Sequence, residues 1–205
     1  MSIKSPVKSS KEFELVPEGS HIARVYQLIH IGTIPSEWQG QTRERDVVRI
    51  GFEIPGEMRT FREGEPEKPM VINSGNLTNT MNEKGKLRPL VQGIIGTKLD
   101  EDEAAFFELT DIVGMACMIT VLHEKDSKGT MRARIASTAP LPRGVKAPEA
   151  INDAYILDFN DNWSDMKYRN LPQFLQDLIA QSAEYKQLKG IKAPTREEIE
   201  ASSPF

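Results

Sequence analysis

Residues 86–123 read KLRPLVQGIIGTKLDEDEAAFFELTDIVGMACMITVLH, and the spacing of apolar residues changes within this stretch. Over residues 87–95 the apolar side chains recur every three or four positions, which predicts a helix with Pro89 in its first turn. Residues 100–109 predict a second short helix, because acidic residues are favourable in a first turn. Residues 115–123 are rich in apolar and β-branched residues and predict a strand.

Further strands are predicted on both sides of this stretch. The 44–54 segment, ERDVVRIGFEI, alternates apolar and polar residues, with Val48, Ile50, Phe52 and Ile54 on one face. A loop is predicted over residues 32–43, which contain Gly32, Pro35 and Gly40. The remaining predicted strands are 21–31, 69–77 and 131–139, which makes five, and a further short strand is predicted to begin near 58–61.

The pattern divides the chain into four parts. These are an N-terminal arm (1–20), a binding domain (21–146), an acidic segment with a C-terminal helix (147–189, the helix at 171–188) and a tail (190–205). A helical insertion between the third and fourth of five strands is typical of the oligonucleotide-binding (OB) barrel. The expected fold is therefore mainly β: a five-stranded, OB-like Greek-key barrel with that insertion and a C-terminal helix.

Composition and charge narrow the classes of protein. No apolar run approaches the length of a membrane-spanning helix, and the polar N-terminus does not resemble a secretory signal. The single cysteine, Cys117, excludes an internal disulfide and is typical of a reducing compartment, so we expect a cytoplasmic protein, in the host cell if the chain is viral. The net charge of −4 lies in the C-terminal quarter, because residues 21–146 carry 17 basic and 17 acidic residues.

The motifs of common catalytic sites are not found in the sequence. There is no phosphate-binding loop and no dinucleotide fingerprint, and the three histidines are far apart. Cys117 alternates with apolar neighbours, which indicates a buried small residue rather than a nucleophile. The acidic run at 100–103 fits a solvated helix turn better than a metal site. We therefore expect a binding protein with no enzymatic activity, cofactor or metal ion.

A set of basic and aromatic residues is the candidate binding surface. If apolar alternation defines the inner faces of the strands, arginines collect on the outer face, and further basic and aromatic residues lie in adjacent loops. Outward strand positions commonly carry charge in any protein, and Glu44, Asp46 and Glu53 lie among these arginines, so the pattern is also compatible with an ordinary solvated face. The candidates for binding single-stranded DNA are Arg24, Tyr26, Trp38, Arg43, Arg45, Arg49, Phe61, Lys125, Lys128, Arg132 and Arg134.

Several stretches resemble single-stranded DNA-binding proteins encoded by tailed bacteriophages, which have OB-type barrels. The resemblance extends from about residue 13 to about residue 188. Its most specific part is residues 86–124, which is the stretch quoted at the start together with Glu124. The other parts are FELVPEGSHIARVYQLIHIGT (13–33), VVRIGFEIPGE (47–57), ARIASTAPLPRG (133–144) and LPQFLQDLIAQSAEYKQL (171–188). The resemblance implies binding of single-stranded DNA without sequence specificity, during viral DNA replication or recombination. It supplies no contact residues.

The C-terminal sequence suggests a second interaction. Bacterial single-strand binders often end in acidic residues followed by Pro-Phe, and this chain ends EEIEASSPF. Pro204 and Phe205 are therefore candidates for binding replication or recombination proteins, although residues 201–203 are not acidic here. Two rival functions remain open at this point. One is a protein-interaction or virion structural module, and the other is a nucleic-acid enzyme with scattered acidic metal ligands.

Overall fold

The computed structural model describes residues 14–38 and 40–191. No helix within these ranges is long and apolar enough to cross a membrane. The strands are β1 (Gly19–Trp38), β2 (Gln41–Arg59), β3 (Lys68–Asn73), β4 (Leu77–Thr78), β5 (Ala116–Lys125), β6 (Met131–Pro140) and β7 (Tyr155–Leu157). The helices are α1 (Leu87–Ile95), α2 (Glu101–Ala105), a 3-10 turn (Leu109–Ile112), α3 (Asp165–Asn170), α4 (Gln173–Ala180) and α5 (Ala183–Leu188).

All seven strands belong to one sheet, in the order β3-β2-β1-β5-β6, with β4 paired to β2 and β7 paired to β1. Every pair is antiparallel except β7 with β1. The expectation of a mainly β chain is confirmed, and α1 and α2 lie between β3 and β5 along the chain. A closed five-stranded barrel is not confirmed. The end strands β3 and β6 approach within 8 Å between Cα atoms, but they form no hydrogen-bonded ladder in the described part of the chain.

The hairpin of β1 and β2 replaces the loop predicted over residues 32–43, so that prediction is wrong. Ladder pairs continue to Trp38 and Gln41, and Pro35 pairs with Glu44. Proline is tolerated because, among the described residues, no strand pairs with the other edge of β1 at this position. Gly32 adopts a φ of +91° at a register shift, where it forms a β-bulge. The residues that predicted a loop therefore form a bulge and an edge strand.

The main core lies between the inner face of the sheet and α1. The predicted inward face of β2, from Val48 to Ile54, is buried there as expected. Cys117 is also in this core, and burial raises the pKa of its thiol to about 12, as expected for a packing residue. Helix α1 lies against β6, where Thr138 Oγ1 donates to the carbonyl oxygen of Leu90 at 2.8 Å.

A second core joins the outer face of the β1–β2 hairpin to residues 155–188, here called the C-terminal layer. Its buried members are Ile29, Ile31, Ile34, Val47, Leu157, Leu171, Leu175 and Ile179. The single helix predicted at 171–188 is wrong, since α4 and α5 are separated at Ser182. The Ser182 hydroxyl accepts a hydrogen bond from the amide of Tyr185 at 3.2 Å and caps α5, a position that serine favours.

The chain reaches the C-terminal layer through a strap, residues 148–152, which crosses the outer face of the sheet. Arg24 Nη2 donates to the carbonyl oxygen of Pro148 at 2.7 Å. The buried carboxyl group of Glu53 accepts hydrogen bonds from the amides of Ile151 at 3.1 Å and Asn152 at 2.7 Å, and from Asn152 Nδ2 at 2.8 Å. The strap is therefore fixed to β1 and β2 by two polar side chains.

His30 lies at the contact between the hairpin and the C-terminal layer. Its Nε2 is 2.6 Å from Asp46 Oδ1, and the ring of Phe159 packs edge-on with 5.4 Å between ring centroids. Glu184 of α5 is nearby and accepts hydrogen bonds from the amide and the hydroxyl of Thr33, both at 2.7 Å. Carboxyl groups from β2 and from the C-terminal layer therefore surround one imidazole.

We expect His30 to make stability depend on pH. Burial opposes the imidazolium, but the hydrogen bond to Asp46 and the charges of Asp46, Glu184 and Asp158 outweigh it and raise the pKa of His30 above 6.5. The stabilising contribution is thus fully present below about pH 6.5 and is lost as pH rises through the folded-state pKa. Urea titrations from about pH 6 to about pH 9 should show this loss in the wild-type chain and not in His30→Gln.

His123→Gln is the matched control, because His123 Nε2 contacts the carbonyl oxygen of Val16 at 2.8 Å rather than a carboxyl group. The control should keep the wild-type dependence of unfolding free energy on pH. The same dependence in His30→Gln as in the wild-type chain would contradict the assignment.

Candidate nucleic-acid interface

A groove of about 920 Å³ opens at the unpaired end of the sheet, between β6 and the segment from Asn73, the last residue of β3, to Leu77. This volume lies in the range of natural ligand sites. One wall comes from β2 and residues 73–77, a second from the first part of α1, and a third from β5 and β6. Its lining includes the apolar residues Leu77, Leu90, Leu122 and Ile135, the basic residues Arg49, Lys86, Arg132 and Arg134, and the acidic residue Glu124.

Arg49 projects from β2 into this groove and is half-buried. Its Nη1 donates to Asn76 Oδ1 at 3.1 Å, and its guanidinium carbon lies 5.7 Å from the centroid of the Phe174 ring. Burial lowers the pKa of Arg49, while Tyr26 acts in the opposite direction. The guanidinium is therefore held in position by an amide and an aromatic ring and has no carboxylate partner among the described residues.

Arg132 and Arg134 project from β6 on the opposite side of the groove. Arg132 Nε is 3.2 Å from Asp126 Oδ2, and Arg134 Nε is 3.4 Å from Glu124 Oε2. Both arginines are exposed, and exposed ion pairs contribute only about 0–1 kcal/mol. A phosphate group can therefore replace either carboxylate at little cost. Lys125 and Lys128 are exposed at the end of the same β5–β6 hairpin.

Two predicted residues are engaged within the fold. Arg24 donates to the carbonyl oxygens of Pro148 and Gly114, and its Nε is buried without a partner among the described atoms. Tyr26 is half-buried, and burial, followed by the charge of Glu53, raises the pKa of its hydroxyl, while Arg49 opposes the shift. We therefore leave Arg24 out of the proposed interface.

The distal end of the β1–β2 hairpin carries three further candidates. Arg43 is exposed, with Nη2 donating to Gln41 Oε1 at 3.3 Å. Arg45 is half-buried, and no partner for its buried Nε is present in the described ranges. The backbone of Trp38 pairs with Gln41, whereas its side chain lies outside the described structure. Neither Arg43 nor Arg45 lines the groove, so the hairpin end is a separate basic surface.

Of the remaining candidates, the structure describes only Phe61. Phe61 is half-exposed in the loop after β2, at the end of the strand opposite the hairpin turn, and it does not line the groove. Pro204 and Phe205 lie outside the described residues, as does most of the predicted N-terminal arm. The prediction that the tail binds partner proteins therefore stays a prediction.

The outer face of β1 and β2 is less accessible than the sequence predicted. The strap and the C-terminal layer cover it, so Ile29, Val47 and Glu53 are buried rather than exposed to solvent. Alternation along a strand defines two faces, but it does not reveal whether a later segment covers the second one. The accessible parts of the predicted arginine surface are therefore the groove at the open edge of the sheet and the hairpin end.

Sequence reasoning missed two residues of this region. Lys86 immediately precedes α1 and lines the groove, but a lone lysine before a helix carries no recognisable pattern. Phe174 lies in the segment predicted to form the C-terminal helix, yet it is 57% exposed and its ring centroid is 5.7 Å from the Arg49 guanidinium carbon. No local signal separates it from the buried Leu175 beside it, because both are apolar residues of the same helix.

The chemistry of the groove is that of binding to an anionic and partly apolar ligand. Basic groups supply charge and hydrogen-bond donors, and the apolar lining supplies contact area. Among the described residues, no group of three or more His, Cys, Asp or Glu side chains is placed to hold a metal ion. No protein-family model and no curated protein sequence matches this chain.

Proposed function

We propose that this protein binds single-stranded DNA in the groove between β3 and β6, without sequence specificity. The observation that carries the proposal is the placement of Arg49, Arg132 and Arg134 around one groove, although they come from strands far apart in sequence. The strand order β3-β2-β1-β5-β6 supports it, because it is the order of an OB barrel that is opened between its third and last strands. In this chain those two strands are β3 and β6. Protection of exposed strands in phage DNA replication or recombination is the role we assign to this binding.

Binding begins with electrostatic capture. Phosphates of the DNA replace Asp126 as the partner of Arg132 and Glu124 as the partner of Arg134. The release of counterions from the phosphates drives association. The bases then face the apolar lining formed by Leu90, Leu122 and Ile135. These contacts do not depend on a particular donor and acceptor pattern, so binding has little sequence preference.

A protein-interaction or virion structural role is the second candidate. The observation that favours it is that the facing edges of β3 and β6 are not paired to each other in the described chain, and free strand edges can accept an added strand from another protein. The salt dependence of oligonucleotide binding distinguishes the two, because affinity for DNA falls steeply as salt concentration rises.

The test is the double variant Arg49→Ala, Arg132→Ala. We expect it to bind dT, dC and mixed oligonucleotides more weakly by a similar factor of about tenfold or more, because two charged contacts are lost. The slope of log affinity against log salt should flatten by about 1.4, which corresponds to two single-strand phosphate contacts. Fluorescence anisotropy with labelled oligonucleotides measures both quantities.

The charge-matched control is Arg62→Ala, Arg143→Ala, since both arginines are exposed and neither lines the groove. It should keep both the affinity and the salt slope nearly unchanged. If the groove variant folds and binds as tightly as the wild-type chain, the groove is not the DNA site. If the wild-type chain does not bind oligonucleotides at low salt, the proposed function is wrong.

A further inference from the structure

We infer that Phe174 and Arg49 together form a base-stacking platform, so that the C-terminal layer contributes directly to the DNA site. This inference rests on the proposed function. It adds a contact with one base, made by a residue from a segment that the sequence suggested lies apart from the binding domain.

Phe174 is not needed for packing the helix that carries it. Helix α4 docks on the hairpin through Leu175 and Ile179, which are 4% and 0% exposed, whereas Phe174 is 57% exposed. Large aromatic side chains are usually buried for their contribution to stability. A phenylalanine that remains exposed beside a well-buried neighbour is therefore available for contact with a ligand.

Arg49 links this ring to the groove, because it lines the groove and its guanidinium group also lies over the ring. The 5.7 Å separation from the ring centroid is within the range of a cation–π contact, and the hydrogen bond to Asn76 restrains the group on another side. Guanidinium planes stack on aromatic faces and on nucleobases. A base that enters beside Arg49 can therefore extend a stack that is already formed before DNA arrives.

Other aromatic residues are less suited to this task. Phe159, Trp163, Tyr168 and Tyr185 contact one another, with ring centroids 5.0–5.8 Å apart, and all are partly buried in the C-terminal layer. Phe106 is 86% exposed, but it lies at the end of α2, and no cationic side chain lies over its ring among the described residues. Within the described residues, Phe174 is the exposed aromatic that contacts a groove arginine.

The experiment compares Phe174→Ala with the matched surface variant Phe106→Ala. Both are titrated with a dT oligonucleotide and with an abasic oligonucleotide of equal length. Replacing an aromatic residue that stacks on one base by alanine typically lowers affinity about 5- to 150-fold. We expect a loss in this range for Phe174→Ala on dT and little change on the abasic strand, because the abasic strand has phosphates but no bases.

Two more variants separate stacking from general apolar contact. Phe174→Trp should retain the wild-type affinity for dT, and Phe174→Leu should lose affinity to about the same extent as Phe174→Ala. Phe106→Ala should behave as the wild-type chain on both strands.

The inference is overturned if Phe174→Ala binds dT as tightly as the wild-type chain. It is also overturned if Phe174→Ala loses equal affinity for dT and the abasic strand, since the ring would then act only through the position of Arg49. Failure of the wild-type chain to bind either strand would instead overturn the proposed function. Circular dichroism of each variant confirms that the fold is kept.

Discussion

Gly93→Ala should lower the free energy of unfolding by about 1–3 kcal/mol, although alanine is the better helix former. A Cβ at position 93 would lie 2.7 Å from the carbonyl carbon of Thr138, and closer still to its carbonyl oxygen and hydroxyl. Displacing α1 from β6 costs about 1–3 kcal/mol or more and breaks the hydrogen bond from Thr138 to Leu90, worth about 1 kcal/mol. The gain in helix propensity, about 1 kcal/mol, offsets only part of this cost. Urea unfolding monitored by circular dichroism measures the difference.

Gly56→Ala is the control for this substitution, because a Cβ there meets no atom within 4 Å. It should be neutral or slightly stabilising, since it reduces the freedom of the unfolded chain. Adding Thr138→Ala to Gly93→Ala should not restore stability, because the carbonyl carbon and oxygen that would meet the new Cβ belong to the backbone. Equal stability of Gly93→Ala and Gly56→Ala would show that α1 has room to move.

The strands and the helix around residues 86–139 could be predicted because local pattern and tertiary environment agree there. The predicted helix at 87–95 matches α1, and the strands predicted at 115–123 and 131–139 match β5 and β6 within two residues. In each case, one face packs into the main core and the apolar spacing reflects this directly. The same agreement makes the inward face of β2 predictable.

The β1–β2 hairpin was harder to predict because some of its residues are compatible both with a loop and with an irregular strand. Gly32 and Pro35 are common in loops, but here they occupy a bulge and an edge position of a strand. Register shifts between Val25 and Gln27 and between His30 and Gly32 interrupt the alternation of β1, and Ile29 and Ile31 are buried against the C-terminal layer. A near-continuous apolar run is typical of a strand buried on both faces, and this was the available indication that a second layer covers the hairpin.

The groove could be predicted only in part, because it depends on distant segments. Arg49, Arg132 and Arg134 follow from strand alternation, and the structure places them around one groove. Arg24 satisfies the same alternation but is bound to Pro148 of the strap. No local pattern distinguishes Arg24 from the arginines of the groove, because the strap that binds Arg24 is more than one hundred residues away in the sequence. Phe174 reaches Arg49 only because α4 docks on the hairpin.

Glu53→Ala should lower the free energy of unfolding by about 3–5 kcal/mol and release the strap. The Glu53 side chain is fully buried, and its two oxygens accept all three hydrogen bonds that fix Ile151 and Asn152. Its removal leaves two backbone amides and one side-chain amide without acceptors, and each costs about 1–3 kcal/mol if it stays buried. The relief of a buried charge offsets part of this loss. Urea unfolding measures the total effect.

The conservative variant Glu53→Gln should be intermediate, because every partner of this side chain is a donor. An amide oxygen can still accept from Asn152, but the NH₂ group then faces the amide of Ile151, so about 1–3 kcal/mol is lost. Glu149→Ala, an exposed position on the same strap, should remain within about 0.5 kcal/mol of the wild-type chain.

Hydrogen exchange locates the effect within the strap. In Glu53→Ala, the amides of Ile151 and Asn152 should exchange much faster than in the wild-type chain, because they lose their acceptor. Amides of β5 and β6 should keep their relative protection, since neither strand contacts Glu53 through a hydrogen bond. Unchanged exchange at Ile151 and Asn152 would mean that the strap is held by other contacts, and Glu53 would then not be the residue that joins the C-terminal layer to the sheet.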